Sequence, residues 1–225
     1  MALRDTPPFR ADHVGSLLRP PELLAARERN DANLRAIEDE AIRDVVELQR
    51  ESGLRTVTDG EFRRGSWHMD FIYALDGVSK APGDLVVRFH NAQGDIEFTP
   101  AAMHIDGRLG VSDTIFGDAF AYLQSCAGEG QTPKLTIPSP SMVHYRGGRA
   151  GIDEALYPDL DAFWSDLTAA YREQVRRVGE LGCTYLQFDD TSLAYLNDPT
   201  QREMIASAGT ADVEQIGRAS CRERV

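Results

Sequence analysis

Cysteine is scarce in this sequence, and the three that occur are far apart. Cys126, Cys183 and Cys221 form no CxxC pair and are too few for a disulfide framework. We therefore expect reduced thiols and no zinc site of the CxxC type. Cys183 directly follows Gly182 and precedes a predicted core strand, a position more typical of a buried structural thiol than of a nucleophile.

Long apolar runs are also missing. No segment approaches the roughly 20 apolar residues that a membrane helix needs, and the first residues show no signal-peptide hydrophobic region. We therefore expect a cytoplasmic protein that has no membrane partner.

Basic residues are outnumbered by acidic ones. The chain has 24 Lys and Arg against 36 Asp and Glu, a formal net charge of −12. Nucleic-acid binding needs clustered basic side chains that neutralise phosphates. The composition therefore argues against a nucleic-acid partner and favours small-molecule substrates.

The last ten residues differ from the acidic body, since they hold three Arg and one Glu. Their sequence, Ile-Gly-Arg-Ala-Ser-Cys-Arg-Glu-Arg-Val, corresponds to one reading frame of a common short-read sequencing adapter. We interpret 216–225 as an adapter-derived, non-native tail, and we expect the native sequence to continue beyond Gln215. A natural basic C-terminal helix is the alternative.

Hydrophobic periodicity predicts helices that alternate with strands. Apolar residues at spacings of three and four, each run closed by a glycine, indicate two clear amphipathic helices, and a third is predicted ahead of Cys126. The predicted helices cover residues 34–48, 113–126 and 160–181. The predicted strands cover residues 10–16, 54–58, 134–137 and 184–188. Two further β-prone runs, 85–90 and 95–98, predict an inserted hairpin.

This alternation gives parallel strands joined by right-handed crossovers. A (β/α)₈ barrel takes about 250 residues, and residues 1–215 supply about half of its strands. We therefore predict an α/β fold, a TIM (β/α)₈ barrel of which only about the first half is present, with a β-hairpin insertion. A self-contained doubly wound sheet is the alternative.

Acidic residues follow two of the predicted strands. Asp59 and Glu61 flank Gly60 after the second, and Asp189 and Asp190 follow the fourth. Ligands of α/β folds gather at the carboxyl ends of strands, so these acids predict a polar pocket. On an extended chain Asp59 and Glu61 would point the same way, one of them toward a substrate ammonium. A helix N-cap and a solvated acid are the alternative, and N-capping suits Asp190 better than Asp189.

A short segment after the first predicted strand offers groups that suit a carboxylate. In Val14-Gly15-Ser16 the glycine lets a ligand approach the backbone, and the serine adds a hydroxyl and an amide donor. An ordinary strand-to-helix turn is the alternative. The histidines show neither HxxxH nor HxC spacing, so the metal signal within the chain is weak.

Four motifs occur along the chain in a fixed order. They are His13-Val14-Gly15-Ser16-Leu17-Leu18-Arg19-Pro20, Thr58-Asp59-Gly60-Glu61-Phe62-Arg63-Arg64, Pro138-Ser139-Pro140-Ser141-Met142 and Gln187-Phe188-Asp189-Asp190. In this order the chain resembles the cobalamin-independent methionine synthase family over residues 10 to 215. The resemblance is to single-barrel members, which are similar to the C-terminal catalytic domain of the long enzyme.

The resemblance implies a TIM barrel that transfers a methyl group from a methyltetrahydrofolate to the thiol of homocysteine, which yields methionine. Zinc would hold that thiol as a thiolate. By the same resemblance, Val14, Gly15 and Ser16 would bind the amino acid's carboxylate, and Glu61 and Asp189 would bind its ammonium group.

The resemblance places no catalytic residue and no metal ligand within this chain. The family's zinc ligands, a His-x-Cys motif with a Glu and a later Cys, would lie beyond residue 215, so we expect the chain alone to be inactive. The family's Asp-Glu-Pro-Ala-Leu motif also reads differently at Asp189–Leu193. Two alternatives therefore stay open: alkyl transfer to another thiol such as coenzyme M, and a non-catalytic small-molecule binding protein.

Overall fold

The computed structural model describes residues 6–9, 11–81, 87–91, 94–98, 102–192, 197, 199–200 and 202–203. The tail predicted at 216–225 lies outside these residues. None of the helices within these ranges is long and apolar enough to span a membrane.

Helices and strands are mixed along the described chain. The helices are α1 (Pro21–Glu28), α2 (Leu34–Glu51), α3 (Met69–Ile72), α4 (Gly117–Cys126), α5 (Pro140–Gly147) and α6 (Leu160–Glu180). The strands are β1 (Thr56–Val57), β2 (Asp76–Ala81), β3 (Val87–Asn91), β4 (Gly94–Phe98), β5 (Ala102–Gly110), β6 (Thr132–Pro133), β7 (Leu135–Pro138) and β8 (Leu186–Asp189).

The described strands form four separate pairs: β1 with β6, β2 with β5, β3 with β4, and β7 with β8. The α/β class is therefore as predicted, whereas the half barrel stays a prediction. The predicted hairpin is confirmed, because β3 and β4 pair antiparallel from Val87 opposite Phe98 to Asn91 opposite Gly94. Helices α2 and α6 are also confirmed, but α4 begins at Gly117 rather than at residue 113.

The strand predicted at 10–16 is wrong. Within the described residues of this segment, Ser16 alone forms a bridge, a parallel one to Gly60. Three successive carbonyls accept hydrogen bonds from side chains and not from a neighbouring strand. The pairs are His13 with Lys134, Val14 with Gln187 (2.8 Å) and Gly15 with Thr58 (2.6 Å).

The described residues divide into two compact units. The first comprises those within 1–67, 116–137 and 175–189, and the second those within 68–115, 138–174 and 190–225. In the first, α2 buries an apolar stripe that includes Ile42, and β1 pairs parallel with β6. Complete burial of a side chain such as Ile42 contributes about 1.5–3 kcal/mol to stability.

The second unit is built around the antiparallel pair of β2 and β5. The register shifts between Asp76 and Val78, where Gly77 has a φ of +79° and packs on the backbone of Gly107. A Cβ on Gly77 would lie 2.6 Å from the Gly107 carbonyl oxygen, so only glycine fits this bulge.

Candidate functional site

The candidate site lies in the first unit, which contains every residue assigned to ligand binding from the sequence: Val14, Gly15, Ser16, Glu61 and Asp189. Val14 and Ser16 are exposed, and 67% of Val14 is open to solvent. Solutes can therefore reach the segment directly from solvent.

Gly15 lies against Thr136 of β7. Its φ is +138°, a conformation that favours glycine, and a Cβ at this position would lie 2.6 Å from Cγ2 of Thr136. The other branch of Thr136 points to a different group, since its hydroxyl donates a hydrogen bond of 2.7 Å to Oε1 of Glu61. One buried side chain therefore contacts both the glycine segment and the acid.

Glu61 lies on a tight turn and not on an extended chain. Gly60 and Glu61 both have positive φ values, +65° and +59°, and the amide of Glu61 donates to Oδ1 of Asp59 at 2.9 Å. The extended backbone on which the predicted orientation of Asp59 and Glu61 depended is therefore wrong. The hydrogen bond to Asp59 stabilises the turn. A left-handed backbone at a residue other than glycine is strained and persists only where the surrounding structure supports it.

Two arginines hold the carbonyls of this turn. Arg19 donates to the carbonyl of Glu61 at 3.0 Å and to that of Arg64 at 2.8 Å. Arg27 donates to the same Arg64 carbonyl at 2.7 Å and to that of Phe62. Arg19 belongs to the first sequence motif and Arg64 to the second, so these bonds connect the two motifs.

Burial dominates the electrostatics of Glu61. The residue is 3% exposed, and loss of water raises the pKa of its carboxyl above the ordinary 4.5. Arg64, whose Nη1 lies 3.3 Å from Oε1, and the Thr136 hydroxyl oppose this shift, whereas Asp59 and Asp189 add to it. Arg64 is itself buried, donates to the Thr136 carbonyl at 2.8 Å, and stacks over the Phe116 ring.

Asp189 is the second acid of the site, at the end of β8. Its Oδ1 accepts a hydrogen bond of 2.6 Å from Nε2 of Gln187, which also donates to the Val14 carbonyl. Burial raises the pKa of Asp189 above its ordinary 3.8, and the bond from Gln187 and the charge of Arg64 counteract only part of that shift. Glu61 and Asp189 therefore both resist ionisation.

Asp190 has a different environment, in the second unit. Its Oδ1 accepts hydrogen bonds from the hydroxyls of Ser192 at 2.6 Å and Ser141 at 3.1 Å. These donors are side-chain hydroxyls and not helix amides, so the N-cap role of Asp190 stays a prediction.

His13 is held in one tautomer by Gln49. The Nε2 of Gln49 donates to the carbonyls of Val45 and Thr58, and its Oε1 accepts from the Thr58 amide, each at 2.9 Å. Because Oε1 is the acceptor, the ring nitrogen Nε2 of His13, 2.8 Å away, carries the proton. Burial lowers the pKa of His13, so the ring favours the neutral state.

Sequence reasoning missed four residues that organise this site: Arg64 as an ion-pair partner, Thr136, Gln187 and Lys134. The detectable signal was Lys134, a lysine at the edge of a predicted buried strand, since Lys is almost never fully buried unless it is paired.

The described residues do not provide a zinc site. No group of three or more His, Cys, Asp and Glu side chains within the described ranges could hold a metal ion. Cys183 donates to the carbonyl of Tyr185, and burial raises the pKa of its thiol, which disfavours the thiolate that binds zinc. His144 is buried beside Phe163 and Trp164, and burial lowers its pKa to about 4.

The fold is that of an α/β protein similar to methionine-synthase-like proteins. The crystal structure of a Listeria monocytogenes protein, provisionally named a vitamin-B12-independent methionine synthase, aligns with a TM-score of 0.71 and 33% identity over 97% of this chain. This agrees with the resemblance inferred from the four motifs. A B12-independent methionine synthase from a Shewanella species, in complex with selenomethionine, aligns at a TM-score of 0.49 and 18% identity, too low to support an argument.

Two curated relatives come from Bacillus subtilis. The chain is 40% identical to the uncharacterized protein YxjH over 209 residues and 38% identical to the uncharacterized protein YxjG over 226. These alignments cover 90% and 93% of this chain, but 53% and 55% of the relatives. The chain therefore spans about half the length of the curated relatives it matches, and 62% of the Listeria protein. No protein-family profile matches the chain.

Proposed function

We propose that the first unit binds the zwitterionic end of an α-amino acid as part of a cobalamin-independent methionine-synthase-like methyltransferase. Val14, Gly15 and Ser16 take the carboxylate, and Glu61 and Asp189 take the ammonium group. The amino acid is homocysteine, whose thiol accepts a methyl group from a methyltetrahydrofolate-type donor to give methionine.

The observation that carries this proposal is the double contact of Thr136. Its methyl group packs on Gly15 and its hydroxyl binds Glu61, so the glycine segment and the acid approach each other across one side chain. An α-amino acid presents its carboxylate and ammonium on a single carbon, and the contact of one side chain with both Gly15 and Glu61 supports the assignment of neighbouring subsites.

The electrostatics favour a cationic group at the acids. Glu61 raises its pKa partly because Asp189 is near, and Arg64 is the cation that opposes both shifts. A bound ammonium adds a second positive charge and stabilises both carboxylates in their ionised form. This favours homocysteine over coenzyme M, because coenzyme M is a sulfonate that has no ammonium group.

The methyl-transfer step is supported by similarity alone. The Listeria protein is provisionally named a methionine synthase, and the four sequence motifs of this chain follow the family order. When bound, zinc would convert the homocysteine thiol to a thiolate. The described residues lack the donors for it, so zinc ligation stays a prediction for sequence beyond residue 215, and this chain's residues act by binding and orienting the amino acid.

The test is ligand binding by the full 225-residue chain, measured by titration calorimetry and by thermal shift. L-Homocysteine and L-methionine should bind and raise the melting temperature, because a ligand that binds only the folded state stabilises it. Two matched analogues separate the subsites: 3-(methylthio)propylamine has no carboxylate, and 4-(methylthio)butanoate has no ammonium group.

Each analogue should bind at least about tenfold more weakly than L-methionine, since each leaves one set of charged hydrogen bonds unmade. Equal affinities for L-methionine and both analogues would disprove the assignment of the two subsites. Binding of coenzyme M in preference to L-homocysteine would replace the proposal by the other-thiol alternative.

A further inference from the structure

Lys134 places an ammonium group inside the first unit. Its side chain has no exposed surface, and an ammonium has three N–H donors. All three find oxygen acceptors: Oδ1 of Asp12 at 3.1 Å, the carbonyl of His13, and Oε1 of Gln187 at 3.0 Å. A lysine with every donor bonded to oxygen is held as a cation and has no lone pair for nucleophilic attack.

Asp12 forms an ion pair with this cation. Its Oδ1 also accepts from the amide of His13 at 2.8 Å, and its Oδ2 accepts from the hydroxyl of Tyr185 at 2.6 Å. Burial alone would raise the pKa of Asp12, but the bonds from Tyr185 and Lys134 outweigh it and lower the pKa. Both carboxylate oxygens are therefore occupied by protein groups.

The cation fixes the orientation of the Gln187 amide. Because Oε1 faces the ammonium, Nε2 must face the opposite way, where its two N–H groups reach the Val14 carbonyl at 2.8 Å and Oδ1 of Asp189 at 2.6 Å. The two ends of an amide are similar in shape. The Val14 carbonyl and the Asp189 carboxylate are acceptors that favour the nitrogen on their side, and Lys134 supplies the donor that favours the oxygen on the other side.

We propose that Lys134 is a positioning residue of the amino-acid site, which acts through Gln187. By holding the amide oxygen, it commits one N–H to the carboxylate-binding segment at Val14 and the other to the ammonium-binding acid Asp189. Lys134 thereby joins the two halves of the site without touching the ligand. The ligand part of this inference rests on the proposed function, whereas the orientation of Gln187 does not.

The variant must remove the cation without leaving its anion uncompensated. Lys134→Met alone would leave the carboxylate of Asp12, whose side chain is 19% exposed, without this cationic partner. The double variant Asp12→Asn/Lys134→Met removes both charges and keeps an oxygen for the Tyr185 hydroxyl. The matched control is Glu47→Gln/Arg50→Met, which removes an exposed ion pair of α2.

The first readout needs no ligand. In the ¹⁵N-labelled 225-residue chain, the Gln187 side-chain amide signals are assigned by their loss in Gln187→Leu. Hydrogen exchange of these N–H groups should be slow in the wild type and in the control, and at least about tenfold faster in the double variant, because exchange requires the bonded state to open.

The second readout is affinity. L-Methionine should bind about tenfold more weakly to the double variant, and the Glu47→Gln/Arg50→Met control should bind it as tightly as the wild type does. Unchanged L-methionine affinity in a folded double variant overturns the positioning role. If the wild type binds no amino acid, the proposed function has failed, and hydrogen exchange alone then tests whether Lys134 orients Gln187. Unchanged protection of the Gln187 amide in the double variant overturns the inference, and loss of that protection supports it.

Discussion

The hydroxyl of Thr136 donates a 2.7 Å hydrogen bond to Glu61, and the methyl group of the same residue is in the way of any side chain at Gly15. Gly15 of the first motif and Glu61 of the second, more than forty residues apart in the sequence, are thus matched to one threonine of β7. Substitutions at Gly15 and Thr136 should therefore be coupled in their effects.

Gly15→Ala should destabilise the protein by about 1–3 kcal/mol, because the new Cβ would lie 2.6 Å from Cγ2 of Thr136 at a strained φ. Thr136→Ser removes that methyl group and keeps the hydroxyl for Glu61. The double variant should recover the steric part of the loss and retain the backbone strain. Urea unfolding of the three variants measures the coupling.

Gly179→Ala is the control for this series. Gly179 lies in α6, and a Cβ there would have no neighbour within 4 Å. Alanine should leave stability unchanged or raise it by up to about 1 kcal/mol. A Gly15→Ala variant as stable as Gly179→Ala would contradict the close approach of Gly15 and Thr136.

Glu61→Gln should weaken the binding of L-methionine by about 2–5 kcal/mol, since a buried ammonium would lose its charged partner. Glutamine retains an oxygen that can accept from Arg64 and Thr136, so the turn should persist. Calorimetric titration measures the affinity, and Glu40→Gln, at an exposed position of α2, is the matched control. If Glu61→Gln binds as tightly as the control, Glu61 has no role in recognition.

The stability of the protein should depend on Glu61 in a defined pH range. Burial raises the pKa of this acid above 4.5, so the folded state holds its proton more tightly than the unfolded state. The free energy of unfolding therefore falls as the pH rises from 4.5 through the raised pKa, and this contribution is constant at higher pH. His13 and His144, whose pKa values burial lowers, act in the opposite direction below their ordinary 6.5.

The pH dependences contributed by Glu61, His13 and His144 overlap. The quantity to compare is therefore the difference in free energy of unfolding between wild type and Glu61→Gln. Urea unfolding from pH 4.5 to 7.5 should show the variant gaining stability relative to wild type as the pH rises. A pH-independent difference would mean that Glu61 ionises as easily in the folded state as in the unfolded one.

Amino-acid binding should release protons at mildly acidic pH. Burial raises the pKa of Glu61 and Asp189, and an incoming ammonium should lower both, so that at most about one proton leaves for each ligand bound. Calorimetric titrations of L-methionine at pH 5 in buffers of different ionisation enthalpy measure this release. A binding enthalpy that is the same in every buffer would exclude it.

The sequence indicated which acids lie near each other but not the backbone geometry at Glu61. Acids that follow core strands were expected to gather at the strand ends, and Glu61 and Asp189 do lie in one unit. The left-handed turn at Glu61 was not predictable from local pattern, because it depends on carbonyl contacts from Arg19 and Arg27, which are distant in the sequence.

The predicted first strand failed for a similar reason. An extended segment was predicted around Val14, but the carbonyls there bond to the side chains of Lys134, Gln187 and Thr58. Propensity describes local preference and contains no information on such long-range partners. The amphipathic helices α2 and α6 were predictable because their repeated apolar spacing is itself local.

The saturated contacts of Lys134 have an evolutionary consequence. Loss of Asp12 alone would leave the fully buried ammonium of Lys134 without its anion, and loss of Lys134 alone would leave the partly exposed carboxylate of Asp12 without its cation. Homologues should therefore change positions 12 and 134 together, and those that lack the pair should also differ at Gln187.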